Sequence, residues 1–201
     1  MTPQELSKKR CWFFVLVAYF VVGYLGTNYL NLFRDYYYNV ALPFEENIPF
    51  IPFFITGYTS VYLGLMLVYA VIDDYTVFKR TVTFFLIVST VHLVIFLLFP
   101  VKMVRPDLTN SNGVMNMLTH YYYLIDNPVN CFPSLHVAYP FAGTLVLWNY
   151  KRKWGYLLAV MTAFIAVSVV LVKQHYIVDV VAAVVLTGLI YRIAKPIVPP
   201  L

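Results

Sequence analysis

Six long apolar runs limit what this sequence can fold into. Each has roughly 16–23 residues, which suits a helix crossing a bilayer core about 30 Å thick. They lie at about residues 12–33, 53–72, 81–99, 135–150, 155–172 and 175–194. Because they lack the period-2 alternation of strands, they predict helices. We expect an all-α, polytopic membrane protein, a six-transmembrane-helix bundle forming a single transmembrane domain over residues 1–201.

Composition agrees with a membrane location. Hydrophobic residues make up 61% of the chain and charged residues 11%, far from the average of soluble domains. The last two runs must be separated by a turn, because one helix over 155–194 would be about 60 Å long, twice the bilayer core. The polar interruption there is Lys173-Gln174-His175. We place the turn at these residues, which puts His175 at a membrane surface and Asp179 one helical turn inside.

The distribution of basic residues predicts the orientation. With six spans, ten Lys and Arg residues share a side with both termini and four lie opposite. The ten are Lys8, Lys9, Arg10, Lys79, Arg80, Lys151, Arg152, Lys153, Arg192 and Lys195, and the four are Arg34, Lys102, Arg105 and Lys173. This asymmetry predicts cytoplasmic termini in the cell (inner) membrane. Basic clusters near anionic lipid explain the net charge of +5, so we expect no nucleic-acid partner.

Two short segments place histidines at the ends of apolar runs: Cys131-Phe132-Pro133-Ser134-Leu135-His136 and Lys173-Gln174-His175-Tyr176-Ile177-Val178-Asp179. An unpaired carboxylate in such a run costs several kcal/mol, so Asp179 needs a partner. His175, four residues earlier, shares its helical face. An imidazole oriented by a carboxylate can act as a nucleophile or base, and His136 can be the opposite acid–base group. Cys131 is interpreted as a buried, inert thiol.

The polar segment 100–132, which holds no predicted span, is expected to be a functional outer loop. It brings Arg105 and Lys102 to the face that holds both histidines, and the planar fork of arginine suits phosphate oxygens. The acids on that face are too scattered to hold magnesium, and no Cys-His cluster suggests zinc. The sequence therefore predicts phosphoryl transfer on the periplasmic or extracellular side, with no metal and no cofactor.

With these residues in place, the chain resembles the type 2 phosphatidic acid phosphatase superfamily, whose signatures are K-x6-R-P, P-S-x-H and S-R-x5-H-x3-D. Pro133-Ser134-Leu135-His136 completes the second signature. Arg105-Pro106 matches the first, with Leu98 at its lysine position. The third is matched by Ser168, His175 and Asp179, with Val169 at its arginine position. These departures look most like the inositol phosphorylceramide synthase and sphingomyelin synthase branch.

The resemblance implies a role for each residue. His175 attacks phosphorus and Asp179 orients it, while His136 protonates the leaving alcohol and Arg105 neutralises phosphate oxygens. From their positions alone, and not from the resemblance, Lys102 and Lys173 are expected to replace the missing basic residues, although Lys173 at the membrane surface equally fits a side chain that reaches for lipid headgroups. Ser134 is a substrate-binding candidate whose alternative role is a helix cap.

The function predicted from these residues is that of a metal-independent lipid phosphate hydrolase or phospholipid headgroup transferase, working through a phosphohistidine. Its partners would be a phospholipid or other lipid phosphate and, for a transferase, an acceptor alcohol. The alternative is a non-enzymatic lipid transporter or scramblase on the same bundle. A structural subunit of a membrane complex is a further alternative, which leaves the polar cluster unexplained.

Overall fold

The computed structural model describes residues 1–194, and Lys195, one of the predicted cytoplasmic basic residues, lies outside them. The α-helices of the described chain are α1 (Pro3–Leu32), α2 (Ile55–Thr59), α3 (Val61–Val71), α4 (Tyr75–Leu98), α5 (Val114–Ile125), α6 (Leu135–Tyr150), α7 (Arg152–Leu171) and α8 (Ile177–Ile193). Short 3-10 turns occupy Glu45–Asn47 and Pro52–Phe54. No strand forms in residues 1–194, so the all-α class is confirmed.

Within residues 1–194, four segments are long and apolar enough to cross a membrane: Pro3–Leu32, Pro52–Val71, Tyr75–Leu98 and Arg152–Leu171. The other two predicted spans are shorter helices, because α6 has 16 residues and α8 has 17. At 1.5 Å per residue they are about 24–26 Å long, less than the roughly 30 Å of a bilayer core. A sixfold crossing therefore stays a prediction, and four helices are candidate spans.

Helix α6 is the central element of the bundle. It packs against α3, α4, α7 and α8, and most of its residues are buried. Two of its polar side chains bond inside the bundle: Tyr139 shares a 2.6 Å hydrogen bond with Ser89, and Thr144 lies 3.1 Å from Thr162. Because a helix enclosed by four others has little freedom to tilt, α6 gives a rigid support to the residues of its first turn.

The turn from α6 to α7 depends on a glycine. A Cβ atom added at Gly155 would lie 2.5 Å from the backbone nitrogen of Trp148, closer than real contacts allow. The N–H of Lys151 donates to the carbonyl of Leu147 at 2.8 Å and ends α6. Gly155 therefore lets the two helices meet side by side directly after the turn.

The N-terminal part of α1, the α3–α4 connection and the α6–α7 turn meet at one end of the bundle. Lys9 Nζ donates to the carbonyl of Ile72 at 2.6 Å, and Lys151 Nζ lies 2.7 Å from Asp73 Oδ2. Hydrogen bonds from Lys151 and Tyr150 lower the pKa of Asp73 to about 2. These contacts group the segments that the basic-residue count assigned to one side of the membrane.

The segment 100–132 lies at the opposite end and contains α5, whose 12 residues are too few to cross a bilayer. It is attached to the end of α1 by buried amide groups. Asn31 Nδ2 donates to the carbonyl of Phe96 and to Asn130 Oδ1, both at 2.9 Å. Asn127 Nδ2 donates to Asn28 Oδ1 at 3.0 Å. These bonds hold the loop against the helices that carry the candidate site.

Candidate active site

The turn between α7 and α8 fixes the position of His175. The carbonyl of Val169 accepts hydrogen bonds from the N–H groups of Gln174 at 2.9 Å and His175 at 3.0 Å. Lys173 adopts a φ of 50°, in the left-handed region that ends many helices. The turn lies at the three polar residues where the sequence predicted it. It folds His175 back into the bundle, where its side chain is buried rather than at a free surface.

The hydrogen bonds of His175 determine its tautomer. Its Nδ1 lies 2.9 Å from the carbonyl oxygen of Cys131 and 3.3 Å from Asp179 Oδ2. Both partners are acceptors, so the neutral imidazole carries its proton on Nδ1. Nε2 then keeps its lone pair, which is the state that a nucleophile requires.

Asp179 is fully buried, and its side chain makes two contacts, each of which could explain a carboxylate at this position. Its Oδ2 accepts the backbone N–H of Tyr176 at 2.8 Å, which caps the first turn of α8. The same oxygen approaches His175 Nδ1. The backbone carbonyl of Asp179 also accepts the N–H of Ser134 at 3.1 Å, and this bond joins the start of α8 to the start of α6. One residue thus caps a helix, orients an imidazole and links both histidine-bearing segments.

The first turn of α6 places His136 opposite His175. The centroids of the two imidazole rings are 5.6 Å apart. His136 also lies against the ring of Tyr58, with a centroid distance of 4.3 Å. The two predicted acid–base and nucleophilic groups therefore adjoin, although 38 residues separate them in the chain.

Arg105 is held beside the histidines by backbone carbonyls. Its Nη1 donates to the carbonyl of Asp126 at 2.6 Å and approaches that of Tyr123 at 3.4 Å. Its Nη2 donates to Gln174 Oε1, and the guanidinium lies 4.5 Å from the centroid of the Tyr123 ring. These contacts fix the plane of the guanidinium, which is the requirement for binding phosphate with two parallel bonds.

The remaining predicted binding residues occupy different positions. Lys102 is exposed, with Nζ 5.4 Å from the ring centroid of Tyr37. Lys173 Nζ lies 3.3 Å from the carbonyl oxygen of Glu45. Ser134 is at the N-cap position of α6, but its buried Oγ makes no cap bond and has no hydrogen-bond partner within residues 1–194.

Two cavities adjoin the histidine pair. The mouth cavity, about 680 Å³, is lined by His175, Arg105, Lys102, Lys173 and neighbouring residues. The side cavity, about 220 Å³, lies between α1, α3 and α6, and its mostly apolar wall includes His136. Each histidine thus faces a different space, one rich in basic groups and the other almost entirely apolar.

The sequence did not indicate several residues that contribute to this site. Glu45 is buried, and its Oε1 accepts the N–H of Ile177 at 2.6 Å at the start of α8. Asp126 accepts two tyrosine hydroxyls, and Cys131 contributes its backbone carbonyl. Burial raises the pKa of the Cys131 thiol, in keeping with an unreactive side chain. A carboxylate in a polar loop and a backbone carbonyl give no sequence signal, so neither was predictable.

Replacing Lys173 with glycine separates its backbone role from that of its ammonium group. Glycine adopts the left-handed conformation readily, so the fold should persist. If the ammonium attracts phosphate, KM should rise roughly tenfold with little change in kcat, as expected for loss of a charge-assisted bond. Steady-state kinetics and a thermal melt measure both effects. An unchanged KM would assign Lys173 to the turn alone, and Lys102→Ala provides the comparison at the same cavity.

The amino-acid sequence is similar to one protein family and to one other protein. The family model for the PAP2 superfamily matches residues 53–193. The chain is also similar to the uncharacterized protein MJ0662 of Methanocaldococcus jannaschii, with 30% identity over 89 residues. That alignment covers 43% of this chain and 35% of MJ0662, so the chain spans about a third of that protein's length. No solved structure matches the chain significantly.

Proposed function

We propose that this chain, which belongs to the PAP2 superfamily, is an integral membrane enzyme that cleaves or transfers the phosphate-bearing headgroup of a lipid. Family membership supports phosphatase or phosphotransferase activity on lipid phosphates. The observation that carries the proposal is the state of His175, whose Nδ1 faces two acceptors and whose Nε2 is left as a nucleophile. A purely structural histidine has no need of a second imidazole 5.6 Å away.

The proposed reaction is a double displacement. His175 Nε2 attacks phosphorus, the bond from phosphorus to the leaving oxygen breaks, and His136 transfers a proton to that oxygen. In the second half, His136 removes a proton from water or an alcohol, whose oxygen attacks the phosphohistidine and releases His175. Arg105 stabilises the charge on the non-bridging oxygens in both steps.

The two cavities suit the two parts of a lipid phosphate. The phosphate and its substituents fit the mouth cavity, where Arg105, Lys102 and Lys173 supply positive charge. The apolar part of the leaving alcohol fits the side cavity, whose wall carries His136, the group that would protonate it. Apolar walls favour hydrocarbon over water, so this arrangement favours a lipid over a small soluble phosphate.

Two positions support the more specific assignment to the inositol phosphorylceramide and sphingomyelin synthase branch. Leu98, at the signature lysine position, is 74% exposed at the end of α4 and suits contact with lipid. Val169, at the arginine position, is fully buried, and its carbonyl forms the α7–α8 turn. Arg105 is left as the one signature cation that lines the mouth cavity, which favours a transferase over a phosphatase for small phosphates.

The deciding experiment is incubation of the purified protein with a panel of labelled phospholipids, with and without acceptor alcohols, in excess chelator. Release of free headgroup phosphate identifies a hydrolase, and a new lipid formed only with an acceptor identifies a transferase. Movement of labelled lipid between leaflets without any product would instead support a transporter or scramblase. Activity lost on chelation and restored by magnesium would show that the site is not the metal-independent one proposed.

The predicted sidedness can be measured in intact cells. In a Cys11→Ser background, a cysteine replacing Asn112 should react with an impermeant thiol reagent added outside, and one replacing Arg152 should react only after permeabilisation. Both positions are exposed, so access rather than burial decides the result. The reason is the asymmetry of the basic residues. The reverse labelling pattern would place the active site in the cytoplasm.

A further inference from the structure

Asp126, which follows α5, is bonded to two helices at the end of the bundle that holds the site. Its Oδ1 accepts the hydroxyl of Tyr24 at 2.6 Å, and its Oδ2 accepts that of Tyr58 at 2.8 Å. Its backbone carbonyl accepts Arg105. A carboxylate with both oxygens bonded and its main chain fixed has a defined orientation, unlike a solvated loop acid.

Tyr58 connects this carboxylate to His136. Its ring is almost completely buried and lies 4.3 Å from the imidazole, centroid to centroid, at an interplanar angle of 31°. A cation over the face of a tyrosine is attracted by the electron density of the ring. Donation of the hydroxyl proton towards an anionic acceptor increases that density, so Asp126 strengthens the attraction through Tyr58.

The charges around His136 make such support necessary. His175 adjoins His136, so a positive charge on either imidazole opposes a positive charge on the other. Asp179 lies against His175 on the far side of the pair. Asp126 accepts the hydroxyl of Tyr58, whose ring lies against His136, so Tyr58 connects this carboxylate to the imidazole.

We propose that Asp126, acting through Tyr58, is a positioning residue that stabilises the protonated His136 needed when the alcohol leaves. This inference rests on the proposed function and adds a second carboxylate to the site. Asp179 helps to hold the proton of His175 on Nδ1, so that Nε2 carries none. Asp126 supports the protonated form of His136. Each carboxylate thus stabilises positive charge on a different imidazole, Asp179 on the nucleophile after attack and Asp126 on the acid before it releases its proton.

The test compares two phosphodiesters with the same transferable group and different leaving groups, an aliphatic lipid alcohol and nitrophenol. Nitrophenolate leaves without a proton, so its release does not need a general acid. Tyr58→Phe keeps the stacked ring and loses the hydroxyl, and Asp126→Asn keeps an acceptor and loses the charge. In the first turnover, which needs no water or acceptor, each should slow release of the lipid alcohol about tenfold or more, within the range of general acid catalysis, and leave nitrophenol release within about twofold.

Asp107→Asn is the matched control, because Asp107 belongs to the same loop and, among the residues that the structure describes, its carboxylate bonds only to Thr109. It should change neither rate. Equal losses of rate on both esters in the Tyr58 and Asp126 variants would overturn the proposal in favour of a structural role. No loss on either ester would also overturn it. His136→Ala should show the same selective loss in the first turnover, larger in size. If His136→Ala spares both esters, or if the wild type cleaves neither, the proposed function itself fails and this inference falls with it.

Discussion

His175→Ala should abolish turnover while the protein still folds and inserts. We expect kcat to fall at least about 10⁴-fold, as it does in enzymes from which a covalent nucleophile is removed. His175 lines the mouth cavity from a turn whose hydrogen bonds are made by the backbone, so alanine leaves the turn intact. The measurement is product formation from the active lipid, together with capture of labelled phosphate on the protein after a rapid quench.

His120→Ala is the control for this variant, because His120 lies on α5 outside both cavities. Its activity should match the wild type. His136→Ala should still accept phosphate from an activated ester, so labelled protein should accumulate in that variant and not in His175→Ala. Near-normal turnover by a well-folded His175→Ala protein would end the phosphohistidine mechanism.

Asp179→Asn should lower kcat about 10²-fold, which is less than the 10⁴-fold that follows when an orienting aspartate is lost and the wrong tautomer forms. The reason is the carbonyl of Cys131, which lies closer to Nδ1 than the carboxylate does and continues to hold the proton there. What the variant loses is the negative charge that stabilises the imidazolium-like product of attack. Asparagine can still accept the N–H of Tyr176, so the cap of α8 should survive.

Asp179→Ala separates the cap from the charge. It should cost about 1 kcal/mol more in stability than Asp179→Asn, as expected for loss of an N-terminal cap, measured by thermal unfolding in detergent. Its kcat should fall at least as far. If Asp179→Asn retained full kcat, the carboxylate would be a helix cap only, and the carbonyl of Cys131 alone would orient His175.

The helices and the turn at residues 173–175 followed from local physical chemistry. An apolar stretch of 40 residues exceeds a bilayer, so it must reverse where polar residues interrupt it, and α7 and α8 are separated there. The sequence did not establish that α6 and α8 cross the membrane. Their apolar residues face other helices as well as the exterior, and apolarity alone does not separate a buried core helix from a membrane span.

α5 was not predicted as a helix, because its 12 residues lie in a segment that was recognised only as polar and lacking a span. The Asn28–Asn127 and Asn31–Asn130 contacts that attach this segment join residues 99 apart in the chain. Pairing over such a distance depends on how the helices pack, and amide side chains give no signal of their partner. The location of Arg105 next to His175 depends on these contacts.

The sequence by itself determined which reactive groups are available: two histidines, an aspartate four residues after one of them, and an arginine on a long loop. The four-residue spacing predicted that His175 and Asp179 adjoin, but the shared helical face was wrong: His175 precedes α8, and the turn and the cap of α8 make the contact. Only the tertiary structure decided which nitrogen of His175 is free, because Cys131 lies 44 residues away and acts through its backbone. It also decided that Asp126, one scattered acid among several, is bonded to Tyr58 against His136. Local spacing follows from backbone geometry, whereas these contacts exist only once α1, α2, α6 and the loop are packed together.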